Sequence, residues 1–169
     1  ISLGYKDEEL KEAFLCGKSK TGKYFDYFRG RIMFPIIDNF GNVIAFGGRA
    51  IGDKEPKYLN SSDTPVFKKS RNLYSLNFAR TCCSEELILC EGYMDVIGVN
   101  LAGLSNAVAT LGTALTSDQA RIMAKYTKKV VIAYDSDGAG VAATKRAIPM
   151  LTDAGLEVRV LHMDGAKDP

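Results

Sequence analysis

The sequence lacks long hydrophobic runs. No apolar stretch approaches the roughly 18 to 20 residues that a membrane-spanning helix needs, and no basic start followed by an apolar segment indicates secretion. We therefore expect a cytoplasmic protein without membrane contact. The four cysteines form no CxxC pair, and the adjacent Cys82 and Cys83 are a poor start for a zinc site. Reduced, structural thiols are expected.

Several catalytic and nucleotide-binding motifs are also missing. The chain has no GxSxG, no complete Walker motif GxxxxGK[ST] and no GxGxxG after a strand. Acyl transfer and nucleotide cradles of those types therefore have no support. The only histidine, His162, has no partner at metal-ligand spacing, so we interpret it as a surface or packing residue.

Charge is distributed unevenly along the chain. The net charge is only +2, but residues 1–80 hold 14 basic and 9 acidic residues, whereas residues 81–169 hold 8 basic and 11 acidic residues. A cationic track together with an acidic metal site suits a polyanionic substrate. For any one lysine a purely solvating role is the better interpretation, and only the density of basic residues in the first half favours a function.

The hydrophobic pattern changes near residues 80–86. Before it, residues 31–37 and 43–46 predict paired strands around an Asn-Phe-Gly-Asn turn. Pro35 indicates an edge strand or a bulge. Gly47 and Gly48 indicate either a close approach of the backbone to a partner or a bulge. After the change, strands alternate with helices, which is typical of a parallel sheet with helical crossovers. The predicted strands of this second part are residues 87–90, 107–111, 130–134 and 157–161.

Acidic residues follow three of these predicted strands. Glu91 and Asp95 follow the first, Asp135 and Asp137 follow the third, and Asp168 follows the last. The carboxyl ends of parallel strands share one edge of a sheet, where such sheets bind ligands, so we expect these side chains to converge. Carboxylate oxygens suit Mg²⁺ or Mn²⁺ better than Zn²⁺.

Each acidic residue also has a structural interpretation. Asp-x-Asp-Gly is a turn or helix-cap pattern, and Asp95 could lie in the first turn of a helix, where the helix dipole favours an acid. The recurrence of acids after several strands is what favours a site. For Asp95, ligand and structural roles are left equally open.

Two groups of motifs resemble a known family. Residues 91–96 (EGYMDV) with residues 135–140 (DSDGAG) resemble the Toprim signature. Residues 29–36 (RGRIMFPI), 45–49 (AFGGR), 56–61 (PKYLNS) and 106–113 (NAVATLGT) resemble the catalytic core of bacterial DnaG-type DNA primases. The resemblance covers nearly the whole chain. It implies an α/β fold: a Toprim domain over residues 84–169, Rossmann-like, with a mainly parallel sheet and helices on both faces, preceded by a smaller basic α+β subdomain over residues 1–83.

The resemblance also implies roles for particular residues. Catalysis would fall to Glu91, Asp135 and Asp137, and two or more Mg²⁺ or Mn²⁺ ions would be held by these residues, by Asp168 and more weakly by Asp95. Whether Glu91 is a metal ligand or a general base stays open. Contacts to nucleic acid or nucleotide would come from Arg29, Arg31, Arg49, Lys57, Asn60, Lys68, Lys69 and Arg71.

The implied activity is RNA primer synthesis from ribonucleoside triphosphates on a single-stranded DNA template, which yields an RNA–DNA hybrid during replication. A full enzyme of the family has a zinc-binding domain and a domain that binds the replicative helicase. The sequence contains neither, so we expect a monomeric fragment that is weakly active or inactive alone. Two alternatives remain: another Toprim enzyme, a nuclease or topoisomerase, and a non-catalytic module that binds nucleic acid or nucleotides.

Overall fold

The computed structural model describes residues 3–53, 55–83 and 85–162, and these residues form two compact units. The first unit comprises residues 1–37 and 42–68, and the second comprises residues 38–41 and 69–169. This division differs in position from the predicted domain boundary at residues 83/84, which stays a prediction. The four cysteines are free thiols, as expected.

The first unit contains one short helix and two antiparallel sheets. Helix α1 spans Asp7–Glu12 and precedes a hairpin of strands β1 (Cys16–Lys18) and β2 (Tyr24–Asp26). Strands β3 (Arg31–Ile37), β4 (Val43–Ala50) and β5 (Tyr58–Asn60) then form a three-stranded sheet with β4 in the middle.

Strand β3 confirms the edge-strand interpretation of Pro35, whereas the irregularity in the strand lies beyond Pro35, which itself pairs in register with Phe46. The strand lies at the edge of its sheet, and the register with β4 shifts between Ile36 and Ile37. An edge position suits proline because it cannot donate a ladder hydrogen bond. No register shift occurs at Gly47 or Gly48, which pair regularly with both neighbouring strands, so the bulge interpretation of this pair was wrong.

The second unit is built on a parallel sheet. Four strands, in the spatial order β7-β6-β8-β9, alternate with helices along the chain. A 3₁₀ helix over Lys69–Arg71 comes first, and the remaining elements are α2 (Leu76–Ala79), β6 (Leu87–Cys90), α3 (Tyr93–Leu101), β7 (Ala107–Ala109), α4 (Ser117–Met123), β8 (Lys129–Ala133), α5 (Gly138–Asp153) and β9 (Glu157–Val160). The α/β fold with this sheet is therefore confirmed.

Helices cover both faces of the parallel sheet. Side chains alternate along β6, so Leu87 and Leu89 pack in a cluster with residues of α2, α4 and α5, whereas Ile88 and Cys90 pack with residues of α3. Because both of their faces are buried, strands β6, β7 and β8 consist almost entirely of apolar residues, whereas the edge strand β9 is more exposed and contains Glu157 and Arg159. This explains why the sequence pattern located them within one or two residues.

Within the described residues, no helix is long and apolar enough to span a membrane.

Candidate active site

The acidic residues converge because strands β6 and β8 are adjacent and parallel. Cys90, the last residue of β6, pairs in register with Ala133, the last residue of β8. The chain then continues into Glu91 after one strand and into Asp135 after the other. Both carboxylates therefore lie at the carboxyl edge of the sheet, as predicted.

Glu91 and Asp135 are in direct contact. The backbone N–H of Asp135 donates to Oε1 of Glu91 at 3.2 Å, which fixes the orientation of the glutamate. Burial raises the pKa of Glu91, and the nearby carboxylates of Asp135, Asp137 and Asp95 raise it further, although the hydrogen bond opposes them. Glu91 is thus the centre of a negatively charged, partly buried edge.

Gly140 lets helix α5 begin directly against these residues. A Cβ atom at this position would overlap the carbonyl oxygen of Asp135 and lie 2.8 Å from Oε1 of Glu91. A Cβ at Gly138, by contrast, would meet no atom within 4 Å. The two glycines of the motif therefore differ. At Gly140 the packing against Asp135 and Glu91 leaves no room for a side chain, whereas at Gly138 a side chain would fit.

Asp137 and Asp95 each cap a helix. Oδ1 of Asp137 accepts the backbone N–H groups of Ala139 and Gly140, both at 3.0 Å, as the N-cap of α5. Oδ2 of Asp95 accepts the backbone N–H of Gly92 at 2.9 Å in the first turn of α3. Both residues therefore have the structural role that their positions predict, and both also contribute charge at Glu91, while their roles as metal ligands stay predictions.

The described residues do not form a complete metal site. Among residues 3–53, 55–83 and 85–162, no group of three or more His, Cys, Asp or Glu side chains is placed to hold a metal ion. Asp168, the remaining predicted ligand, lies outside the described residues. Its role stays a prediction.

A cavity of about 380 Å³ opens beside Glu91. Its walls come from the segment that follows β7, including Thr110 and Thr113, and from the face of α5 that carries Ala143 and Arg146. The hydroxyl of Thr110 donates to the backbone carbonyl of Glu91 at 3.4 Å. The acidic edge is therefore open to small molecules on this side.

In the first unit, two of the predicted basic residues surround an aromatic ring. The Cζ atom of Arg49 and the Nζ atom of Lys57 each lie 5.8 Å from the ring centroid of Tyr58. Arg49 pairs with Tyr58 across β4 and β5, and the tyrosine is 42% exposed. The sequence analysis missed Tyr58, although an aromatic residue directly after Lys57 in a strand pattern was a usable signal.

Arg31 has a different environment from the other basic residues of this unit. Its Nη1 atom donates to the carbonyl oxygen of Pro56 at 2.7 Å, so its guanidinium is turned toward the protein. Oδ1 of Asn60 is buried and accepts no hydrogen bond from the described residues. Lys68 forms an exposed ion pair with Asp63 at 3.6 Å, and Arg29 lies in the exposed turn before β3.

Lys69 and Arg71 lie in the 3₁₀ helix of the second unit. The fully buried side-chain amide of Gln119 donates to the carbonyl oxygen of Lys69 at 2.9 Å and to that of Asn72 at 2.8 Å. Nε of Arg71 lies 3.2 Å from Oδ2 of Asp118. Hydrogen bonds from Gln119 and an ion pair with Asp118 therefore hold this short helix against α4.

Comparison with known proteins agrees with these features. Residues 2–80 match the family model described as DNA primase catalytic core, N-terminal domain, and residues 88–169 match the Toprim-like model. The DNA primase of Clostridium acetobutylicum is 48% identical over 169 residues, which is 99% of this chain and 28% of the relative. The chain belongs to the DnaG-type DNA primase family.

Solved structures of DnaG-type primases have the same fold. The catalytic core of the E. coli primase matches with a TM-score of 0.89 and 38% identity over 96% of this chain and 53% of that one. A DnaG catalytic domain bound to single-stranded DNA matches with a TM-score of 0.88 and 36% identity over 98% of this chain and 54% of that one.

The two family models match different candidate residues, the basic ones and the acidic ones. All the candidate basic residues lie within the match to the N-terminal domain, and all the acidic ones lie within the Toprim-like match. Lys69 and Arg71 belong to the first match by sequence but to the second compact unit by structure. The chain spans about a third or less of the length of the curated primases that it matches.

Proposed function

We propose that this protein carries the catalytic part of RNA primer synthesis: transfer of a nucleotide from a ribonucleoside triphosphate to an RNA 3′ end on a single-stranded DNA template. The observation that carries the proposal is the acidic edge centred on Glu91 within the Toprim-like half of a primase-family chain. The product would be an RNA–DNA hybrid.

The acidic edge fits divalent cations by its chemistry. Its donors are carboxylate oxygens, which Mg²⁺ and Mn²⁺ prefer, and the repulsion among them, seen in the raised pKa of Glu91, would be relieved by a cation. We propose that Glu91, Asp135 and Asp137, with Asp168, hold two or more such ions, while Asp95 adds charge. Bound there, the ions would supply charge stabilisation to the phosphoryl groups and activate the attacking hydroxyl.

The basic residues are proposed to bind the polyanionic ligands. Arg49 and Lys57 present positive charge beside the partly exposed ring of Tyr58. Such a combination suits a nucleic acid strand, because the ring can stack on a base while the cations contact phosphates. Further contacts to template or triphosphate are proposed for the remaining candidates, Arg29, Asn60, Lys68, Lys69 and Arg71. The DnaG relative bound to single-stranded DNA supports this assignment.

Binding of Mn²⁺ tests the proposal without requiring primer synthesis. We would titrate the protein with Mn²⁺, with and without a ribonucleoside triphosphate, and follow free Mn²⁺ by electron paramagnetic resonance. The wild type should bind Mn²⁺ more tightly when the triphosphate is present, and Asp135→Asn should lose this binding.

Asp153→Asn is the matched control. It makes the same substitution at an exposed residue that ends helix α5, at the opposite end from the acidic edge. It should bind Mn²⁺ as the wild type does. Equal binding by the wild type, Asp135→Asn and Asp153→Asn would contradict the proposed site.

A further inference from the structure

We propose that Arg31 is a positioning residue, which holds the backbone of residues 56–57 against the β3–β4–β5 sheet and so places the Lys57 and Tyr58 side chains, rather than itself contacting phosphate. Its consequence for ligand binding rests on the proposed function of Lys57 and Tyr58. The positioning itself is a property of the unliganded protein.

The hydrogen bonds of Arg31 run to the backbone of the protein. Its Nη1 donates to the carbonyl oxygen of Pro56 at 2.7 Å, with the carbonyl oxygens of Lys57 and Gly48 each at 3.4 Å. Its Nε is buried and has no hydrogen-bond partner among the described residues. The guanidinium therefore bridges strand β4 and the segment that leads into strand β5.

Gly48 provides the space for this side chain. A Cβ atom at Gly48 would lie 3.0 Å from Cδ of Arg31 and 3.0 Å from the ring of Phe28. A larger residue would therefore require the arginine or the phenylalanine side chain to shift. Gly48 makes room for a side chain of the protein itself, whereas the close approach to a partner that the sequence indicated stays a prediction.

The backbone of Lys57 is fixed from several sides. Its carbonyl oxygen accepts the N–H of Ala50 at 2.8 Å, and its own N–H donates to Oε2 of Glu55 at 3.1 Å. Arg31, which pairs with Ala50 across β3 and β4, adds the bond to Pro56. With the backbone held in this way, the Lys57 ammonium lies over the Tyr58 ring.

Arginine suits this task better than lysine does. Arg31 makes its three contacts through one nitrogen, Nη1, which the rigid planar guanidinium holds in place, whereas a lysine ammonium is a compact point charge on a shorter, flexible stem. A phosphate contact that depends on charge alone, in contrast, would retain much of its strength when lysine replaces arginine, because the charge is kept. Arg31→Lys therefore separates a positioning role from direct electrostatic contact.

Hydrogen exchange of the free protein is the first test. Arg31→Lys should accelerate amide exchange in residues 50–60 about tenfold or more, because a charged hydrogen bond that closes this segment is lost. Exchange in the parallel sheet should stay unchanged, which also shows that the variant folds. Arg159→Lys, the same substitution in strand β9, should leave residues 50–60 as in the wild type. Wild-type exchange in residues 50–60 of Arg31→Lys would overturn the proposal.

Binding of single-stranded DNA is the second test. Arg31→Lys should weaken binding several-fold, and Arg31→Lys combined with Lys57→Ala should lose clearly less than the sum of the two single losses, because part of the effect of Arg31 acts through Lys57. Wild-type affinity in Arg31→Lys, or fully additive losses, would overturn the positioning role. If the wild type itself bound no DNA, the proposed function would fail while the exchange result still decided the positioning.

Discussion

Gly140→Ala tests the geometry on which the candidate site depends. The added Cβ would overlap the carbonyl oxygen of Asp135 and lie 2.8 Å from its carbonyl carbon and from Oε1 of Glu91. Two of these three atoms are backbone, so the clash cannot be relieved by rotating a side chain. Overpacking of this kind costs typically about 1–3 kcal/mol, and we expect the upper end, about 3 kcal/mol, because the first turn of α5 must shift.

Gly138→Ala is the control for this prediction. It makes the same change two residues earlier in the same helix, where the Cβ meets no atom within 4 Å. It should leave stability unchanged or raise it by about 0.5 kcal/mol, since alanine loses less backbone freedom than glycine does on folding. The two variants should therefore differ by about 3 kcal/mol or more, which is roughly 6–12 °C in melting temperature for a chain of this size.

Urea denaturation followed by circular dichroism measures this difference. Gly140→Ala should also lose the Mn²⁺ binding proposed above, because moving the Asp135 backbone breaks its hydrogen bond to Glu91. Equal denaturation midpoints for Gly140→Ala and Gly138→Ala would refute the reasoning. In that case α5 would not begin against the Asp135 carbonyl.

Two further predictions concern the polar side chains of Glu91 and Gln119. Glu91→Gln should make the metal-free protein more stable at pH 7, because the raised pKa of Glu91 means that folding favours the protonated acid. The gain should shrink as the pH falls from the raised pKa of the folded protein to the ordinary pKa of glutamate, and a gain independent of pH would count against this reasoning. Gln119→Leu should lower the free energy of unfolding by about 3 kcal/mol in urea titrations, because the partly buried carbonyl oxygens of Lys69 and Asn72 lose the hydrogen bonds from the Gln119 amide, and a loss below about 1 kcal/mol would disagree with the contacts seen.

The sequence predicted the second unit more accurately than the first. Buried parallel strands leave continuous apolar runs, so β6 was placed at residues 87–90 as the structure has it. The β1–β2 hairpin was not predicted, because strands of three residues have too little alternation to detect. Aromatic contacts stabilise this region instead, such as that of Phe25 with Tyr27 at 5.5 Å between ring centroids.

At the candidate site, the residue types could be predicted from the sequence but their hydrogen-bond partners could not. The convergence of Glu91 and Asp135 followed from the common edge of parallel strands. The environment of Arg31 did not, because a guanidinium that binds a backbone carbonyl and one that binds phosphate have the same sequence signal. The difference depends on the separation of β4 and the Pro56 backbone, which only the fold determines.

The helix caps at the acidic edge explain how several acidic side chains can lie close together there. Helices α3 and α5 both begin there, and their first-turn N–H groups bind Asp95 and Asp137. Helix N-termini favour negative charge, so the two capping carboxylates are stabilised by the backbone. Within the part of the chain that the structure describes, Glu91 accepts one backbone N–H, and its burial together with the repulsion of its neighbours raises its pKa. A cation at this edge would therefore gain most from its interaction with Glu91, which makes the glutamate the residue whose protonation should couple most strongly to metal binding.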